Sequence, residues 1–189
     1  MKIESSFDVP VAPEKAWDLL MDVPRVIPCM PGATLTETID DSNWKAKLSV
    51  KLGPISLMFD TDVKREDADV AARKATLSAK AREARGRGAA QATIESSLSE
   101  LDGGTRVDVA TDLMLTGAVA QYGRGIVEDV SQQMVQRFAD CLQAQLVASP
   151  EEAEAVVAAQ AKPVGGLRLG LGAIWRQFVG LFRRDGGKS

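Results

Sequence analysis

Between Trp44 and Leu115 the chain alternates apolar and polar residues, and the breaks in that alternation are turns. Trp44, Ala46, Leu48, Val50 and Leu52 face one way and Lys45, Lys47, Ser49 and Lys51 the other. Gly53-Pro54 reverses the chain, and Ile55, Leu57, Phe59, Thr61 and Val63 then alternate with Ser56, Met58, Asp60 and Asp62. Glu66 to Asp69 reads as a turn. Ala75, Leu77, Ala79 and Ala81 form the next inner face, Gly86 and Gly88 break it, and Ala90, Ala92, Ile94, Ser96 and Leu98 follow. After the hairpin signal Asp102-Gly103-Gly104 come Val107, Val109, Thr111, Leu113 and Leu115. A period of two places each apolar set on one face of a strand. With a weaker strand near 33–40, the pattern predicts six consecutive strands joined by short turns, an antiparallel meander.

The flanks complete the architecture. Ile3, Ser5, Phe7 and Val9 alternate with charged and polar neighbours, which predicts a half-buried strand ended by Pro10. Pro13 suits a first helical position, and Trp17, Leu20 and Met21 follow at helical spacing, so 13–21 reads as a short helix. Val23 to Pro28 reads as a shorter one, closed by Pro31-Gly32. Gly117 ends the sheet. From Val119 to about Leu146 the period becomes helical, through Tyr122, Ile126, Val130, Met134, Phe138 and Leu142. The expected fold is α+β: a curved antiparallel sheet wrapped around one long C-terminal helix, in a domain spanning 1–146. Residues 147–165, with Pro150, three glutamates, an Ala-rich stretch and Pro163-Val164-Gly165-Gly166, are expected to be a flexible linker, partly helical in transient fashion.

Charge divides the chain unevenly. The net charge is −3, too mild to argue for a nucleic-acid partner. From Lys162 onward six basic residues oppose Asp185, a tail of +5 that leaves −8 on the rest. Within 166–189, Leu167, Leu171, Ile174, Trp175, Phe178, Leu181 and Phe182 recur at three- and four-residue steps, while Arg168, Arg176, Arg183 and Arg184 lie apart from them. This predicts a basic amphipathic helix on an anionic bilayer interface, with Leu171, Ile174, Trp175, Phe178 and Phe182 in the apolar layer and Arg176, Arg183 and Arg184 on phosphates. The alternative is a helix that packs on its own domain or on a protein groove. No run reaches the roughly 18–20 apolar residues of a spanning helix. The opening residues enter alternating sequence directly, without a signal peptide, so a cytoplasmic location is expected, peripheral on the inner face of the membrane.

Catalytic readings find little support. There is no His, which removes the commonest metal ligand and neutral-pH base. No nucleophile elbow occurs, Asp60 and Asp62 fall on the outward face, and Gly86-Arg87-Gly88 and Gly123-Arg124-Gly125 lack phosphate-loop spacing. No catalytic or metal-ligating residue is assigned. Cys29 and Cys141 show no CxxC spacing, so no disulfide framework is indicated and a reducing compartment is expected. The inward faces suggest a cavity instead. Ala75, Ala79, Ala81, Ala90, Ala92 and Ser96 are small, and they lie opposite bulky residues and the helical stripe. Small residues can admit the helix closely or leave space for an apolar molecule. The pattern places Trp17, Trp44, Leu48, Leu57, Phe59, Leu77, Ile94, Val109, Leu113, Tyr122, Ile126, Val130 and Met134 around such a cavity. Gly123 and Gly125 weaken the start of the helix, by about 1 kcal/mol each relative to alanine, which fits either close packing on the sheet or a gate to the cavity.

Several of these stretches resemble a known family. Phe7-Asp8-Val9, Ala12 to Leu20, and Pro28-Cys29-Met30-Pro31-Gly32-Ala33 look like the START-like, Bet v 1-type (SRPBCC) superfamily and, more narrowly, the CoxG family of carbon monoxide dehydrogenase subunits. Gly53-Pro54-Ile55-Ser56, Gly103-Gly104-Thr105 and Gln121 to Val130 support the likeness, which covers 1–146. The resemblance implies a helix-grip fold with a cavity between sheet and helix. It implies association with a molybdenum-containing carbon monoxide dehydrogenase or related hydroxylase. It further implies a non-covalently bound respiratory quinone, menaquinone or ubiquinone, that links the enzyme to the membrane. The expected role is therefore an accessory carrier rather than an enzyme. The alternatives are a ligand-free adaptor that recruits the dehydrogenase to the membrane, and a small-molecule cyclase or hydrolase on the same fold.

Overall fold

The computed structural model describes residues 1–52, 55–122, 124–148 and 150–162. Seven strands, β1 Lys2–Val9, β2 Ala33–Thr38, β3 Asn43–Leu52, β4 Ile55–Asp69, β5 Lys74–Glu83, β6 Gly88–Leu101 and β7 Gly104–Gly117, form one antiparallel sheet. Its order is β1-β7-β6-β5-β4-β3-β2, so the meander runs outward from β7 and β1 joins the far side of its last strand. Ile3 pairs with Thr111 and Phe7 with Val107, which puts β1's apolar residues on the face used by the meander. Between β1 and β2 lie α1 Pro13–Met21, α2 Val23–Val26 and a 3₁₀ turn at Ile27–Cys29. A second 3₁₀ turn, Ala118–Tyr122, precedes the long α3 Arg124–Val147, and α4 Pro150–Gln160 follows.

Two local expectations are corrected. The strand expected to end before Glu66 continues to Asp69 as β4, with a bulge between Arg65 and Asp67. The reversal comes later, at 70–73, where Arg73 takes a φ of 49°. The long helix starts at Arg124 rather than Val119: Val119 and Tyr122 belong to the 3₁₀ turn, whose tighter pitch also satisfies a three-residue apolar spacing. That turn is drawn in tightly. Gly88 and Gly117 pair across β6 and β7, and a Cβ at Gly88 would lie 2.2 Å from the Thr116 carbonyl oxygen and 2.8 Å from Val119 Cγ2. Gly125, by contrast, meets nothing within 4 Å, so close packing does not explain that glycine.

One end of the molecule is densely packed. Val9, Ala16, Trp17, Ala75, Leu98 and Val107 form one buried cluster, with Phe7 and Leu146 against it. Leu19, Cys29, Cys141 and Leu142 form the next, flanked by Leu20, Phe138, Val156 and Val157. Phe7 and Phe138 meet edge to face at 6.1 Å and 85°. The space among Phe7, Val9, Ala16, Leu19, Leu20, Val107, Leu142 and Leu146 does not admit even a water molecule. Cys29 and Cys141 are joined by a disulfide across 112 residues, with Cα atoms 5.4 Å apart. This corrects the reading of two unpaired thiols: spacing in sequence carried no sign that the 3₁₀ turn and α3 would meet.

Residues expected to belong to a flexible linker are, over 150–160, a docked helix. Pro150 opens α4 and Glu151 and Glu152 occupy its first turn, where negative charge favours the helix dipole. Val156 and Val157 pack against the Leu19–Leu142 cluster. Gln160, 4 % exposed, donates through Nε2 to the Arg137 carbonyl at 3.0 Å, and its own backbone carbonyl accepts from Gly32 N at 2.7 Å. Arg137 in turn donates to the carbonyls of Ala159 and Lys162. Residues 149 and 163–165 of that segment and the basic tail expected over 166–189, including Leu171, Ile174, Trp175, Arg176, Phe178, Phe182, Arg183 and Arg184, lie outside the described residues. Among the described residues no helix is long and apolar enough to cross a membrane.

Candidate ligand-binding site

The register assembles the inner face row by row. Ala46, Thr61, Ala81, Ala90 and Leu115 lie in one line across β3 to β7. The adjacent line is Trp44, Val63, Ala79, Ala92 and Leu113, and beyond it stand Leu77, Ile94, Thr111 and Ile3. The alanines of β5 and β6 thus form a two-by-two patch, Ala79, Ala81, Ala90 and Ala92, in the middle of the sheet. This arrangement follows from strand alternation alone.

Burial along these rows is uneven. At one end Trp17 and its cluster close the sheet against α1. At the other, Leu57, Phe59, Ala81 and Val119 are buried together, with Leu48 and Tyr122 at their margin. Along the β2 side Val23, Ile27, Ala33, Trp44 and Ala46 are buried, and Arg65 lies with its guanidinium carbon 5.6 Å from the Trp44 ring centroid. Arg65 also donates to the carbonyls of Met21 and Asp41, tying α1 to the β2–β3 turn. Between these packed borders Val63, Leu77, Ala79, Ala92, Ile94, Thr111 and Leu113 are only half-buried, although they share a face with fully buried neighbours. This incompletely covered apolar strip between the packed borders is the candidate groove, and covering it with an apolar molecule is favourable by about 25 cal/mol per Å².

The thirteen residues expected to line a cavity therefore separate. Trp17, Trp44, Leu57, Phe59 and Val130 are buried, the first four in the packed borders. Leu48, Leu77, Val109 and Tyr122 are half-buried and pack against those borders. Ile94, Leu113 and Met134 are half-buried, the first two in mid-sheet and the third on α3. Ile126, near the start of α3, is 46 % exposed.

Polar groups at the groove are few and specific, and the alternation pattern did not single them out. Thr61 Oγ1 is buried on the inner face without a hydrogen-bond partner. Leaving a buried hydroxyl unpaired costs about 1–3 kcal/mol. Glu83, next in line to Phe59, is 4 % exposed and accepts from Arg85 N at 2.8 Å, Arg87 N at 3.1 Å and Arg87 Nη2 at 2.8 Å. The Arg87 guanidinium, ahead of the turn N–H groups, holds its carboxyl down to about 2. Arg87 Nη2 also reaches the Ser56 carbonyl at 3.0 Å, so this charge pair staples the β5–β6 turn to β4. A carboxylate satisfied in this way is structural and unsuited to acid–base work near neutrality. Among the described residues no group of His, Cys, Asp and Glu could hold a metal ion.

The opposite face of the sheet carries a different feature, a depression of about 720 Å³ lined by Glu4, Ser6, Asp67, Thr76, Glu95 and Asp108 among others. Residues of β1 and of β4 to β7 supply its wall, Ser5, Ala75, Ser96 and Val109 of the inward set among them, and its carboxylates make it a poor seat for an apolar molecule.

A curved antiparallel sheet gripping a long C-terminal helix is the START and Bet v 1 fold. Solved structures agree. A conserved protein from Geobacillus kaustophilus superposes with a TM-score of 0.69 at 20 % identity, over 77 % of this chain and 95 % of that one. The structure titled Ara h 8.0201 gives 0.52 at 16 %, over 79 % and 99 %. A START superfamily protein from Mycobacterium smegmatis gives 0.50 at 16 %, over 77 % and 96 %. No curated protein matches the chain. The model of CoxG, a family of carbon monoxide dehydrogenase subunits, matches residues 5–147, and the chain belongs to that family.

Proposed function

We propose that this protein is a non-catalytic carrier that holds a respiratory quinone in the groove and connects a carbon monoxide dehydrogenase-type molybdenum hydroxylase to the membrane respiratory chain. The observation that carries the reading is the half-buried apolar strip Leu77–Ile94–Leu113 between packed borders, in a chain of the CoxG family. Such a strip offers apolar surface that a hydrophobic molecule would cover. The family name supports the dehydrogenase as partner. The basic amphipathic sequence from Leu167 supports an anionic membrane as the docking surface.

Organic extraction of the purified full chain followed by mass spectrometry tests the ligand. A prenylated quinone in near-stoichiometric amount is expected. An extract free of quinone, from protein that also fails to take up added menadione, overturns the carrier reading. Cosedimentation with anionic liposomes tests the docking surface: the full chain should pellet and a chain lacking 165–189 should not.

A further inference from the structure

On the inner face beside the groove Thr61 is buried, whereas Thr111 is only half-buried. Thr61 is more than nine-tenths buried, and its hydroxyl has no partner among the described residues. Its lateral neighbours are Ala46 and Ala81, and its inward neighbours along β4 are Phe59 and Val63. Every one of these is apolar. Valine has the same shape and would remove the cost of an unsatisfied hydroxyl, so packing gives no reason for threonine here. Buried side-chain hydroxyls nearly always have a partner, supplied by protein, water or a bound molecule. The alanine patch beside it, Ala79, Ala81, Ala90 and Ala92, offers the hydroxyl no hydrogen-bonding side chain.

From this arrangement we infer that Thr61 Oγ donates a hydrogen bond to a carbonyl oxygen of the bound molecule, whose ring lies flat over the alanine patch. The inference rests on the carrier reading and narrows it: the groove selects apolar rings that bear a carbonyl oxygen over rings that do not. This buried donor sets the orientation, and the apolar walls supply most of the affinity.

Two probes of similar size separate these contributions. Menadione carries two carbonyl groups and 2-methylnaphthalene none. Equilibrium dialysis with the full chain should show T61V binding menadione about 5- to 10-fold more weakly than wild type, the factor expected for one lost hydrogen bond. Binding of 2-methylnaphthalene should stay within about two-fold, which a hydroxyl-to-methyl change leaves untouched. T61S should keep menadione binding near wild type, because it keeps the donor. The unliganded T61V protein should melt no lower than wild type, since it loses only an unpaired group. Equal menadione affinity in wild type and T61V overturns the inference while leaving the carrier reading intact. Equal weakening of both probes, or a lowered melting temperature, assigns Thr61 a purely structural part and also overturns it. Wild-type protein that binds neither probe overturns both.

Discussion

The two halves of α3 have different surroundings. From Phe138 to Leu146 the helix is locked: Cys141 and Leu142 are buried, Phe138 meets Phe7, and a disulfide ties Cys141 to the turn before β2. Nearer its start Val130 is buried, but Val127 and Met134 are half-buried and Ile126 is exposed, and the central residues of the sheet are also half-buried. One element thus differs along its length: its second half takes part in the closed core, while its first half is covered less completely. On the carrier reading, the anchored half supplies stability and the other half borders the groove.

Truncating one leucine in each region is the most direct way to break that comparison. Leu142→Ala removes a side chain 1 % exposed in a cluster with no spare room, and should cost about 2–5 kcal/mol in unfolding free energy. Leu113→Ala removes a half-buried chain at the groove and should cost about 1 kcal/mol, because little packing is lost. Denaturant unfolding of the two variants reads the difference directly. Similar losses would mean that the strip is as well packed as the anchored end.

The disulfide sharpens the same contrast. Closing a loop between residues 112 apart restricts the unfolded chain strongly, and such links contribute about 2–4 kcal/mol. Reductant, or C29A paired with C141A, should lower unfolding stability by that amount. Menadione binding to the folded protein should be unaffected, since both sulfurs sit in the anchored end. Insensitivity of the unfolding curve to reductant would show that the pair does not hold the helix.

Much of this was legible in the sequence, for identifiable reasons. A two-residue period survives any tertiary arrangement, so the rows from Trp44 to Leu115, the face each residue shares and the small-residue patch could be read directly. Pro13 and Met21 bounded α1 correctly because a proline start and an apolar helical stripe are local signals. What depended on distant contact was not legible. Cys29 and Cys141 are brought together only by the fold. Helix α4 has start signals at Pro150, Glu151 and Glu152, but its order comes from Val156, Val157 and Gln160 meeting surfaces that no local pattern discloses. Tyr122 fitted a helical stripe and instead sits in a 3₁₀ turn, since spacings of three suit both. At the groove, alternation placed Thr61 inward. Only the structure shows its hydroxyl unpartnered, and that Trp17 and Trp44 belong to the groove's borders.

The smallest expected effect probes the groove's far border, at the β5–β6 turn. Glu83 has a carboxyl held at about 2 in the fold, against an ordinary value of 4.5, chiefly by the hydrogen bond from Arg87. The folded state therefore prefers the ionised form, and the resulting stabilisation is full above about pH 4.5. It fades as the pH falls from there toward 2, where the carboxyl takes up its proton in both states. Arg87 is one-third exposed, so water screens the pair and the effect is modest. Other carboxylates titrate over the same range, but E83Q shares them, and the difference between the two proteins isolates this group. Melting temperatures measured at pH 6 and pH 3 should show wild type above E83Q at pH 6 and the gap reduced at pH 3. A gap that does not change with pH would mean that shape and neutral hydrogen bonding, not charge, hold the turn against β4. The border would then owe its rigidity to Leu57, Phe59 and Val119 alone, like the packed end that it faces across the groove.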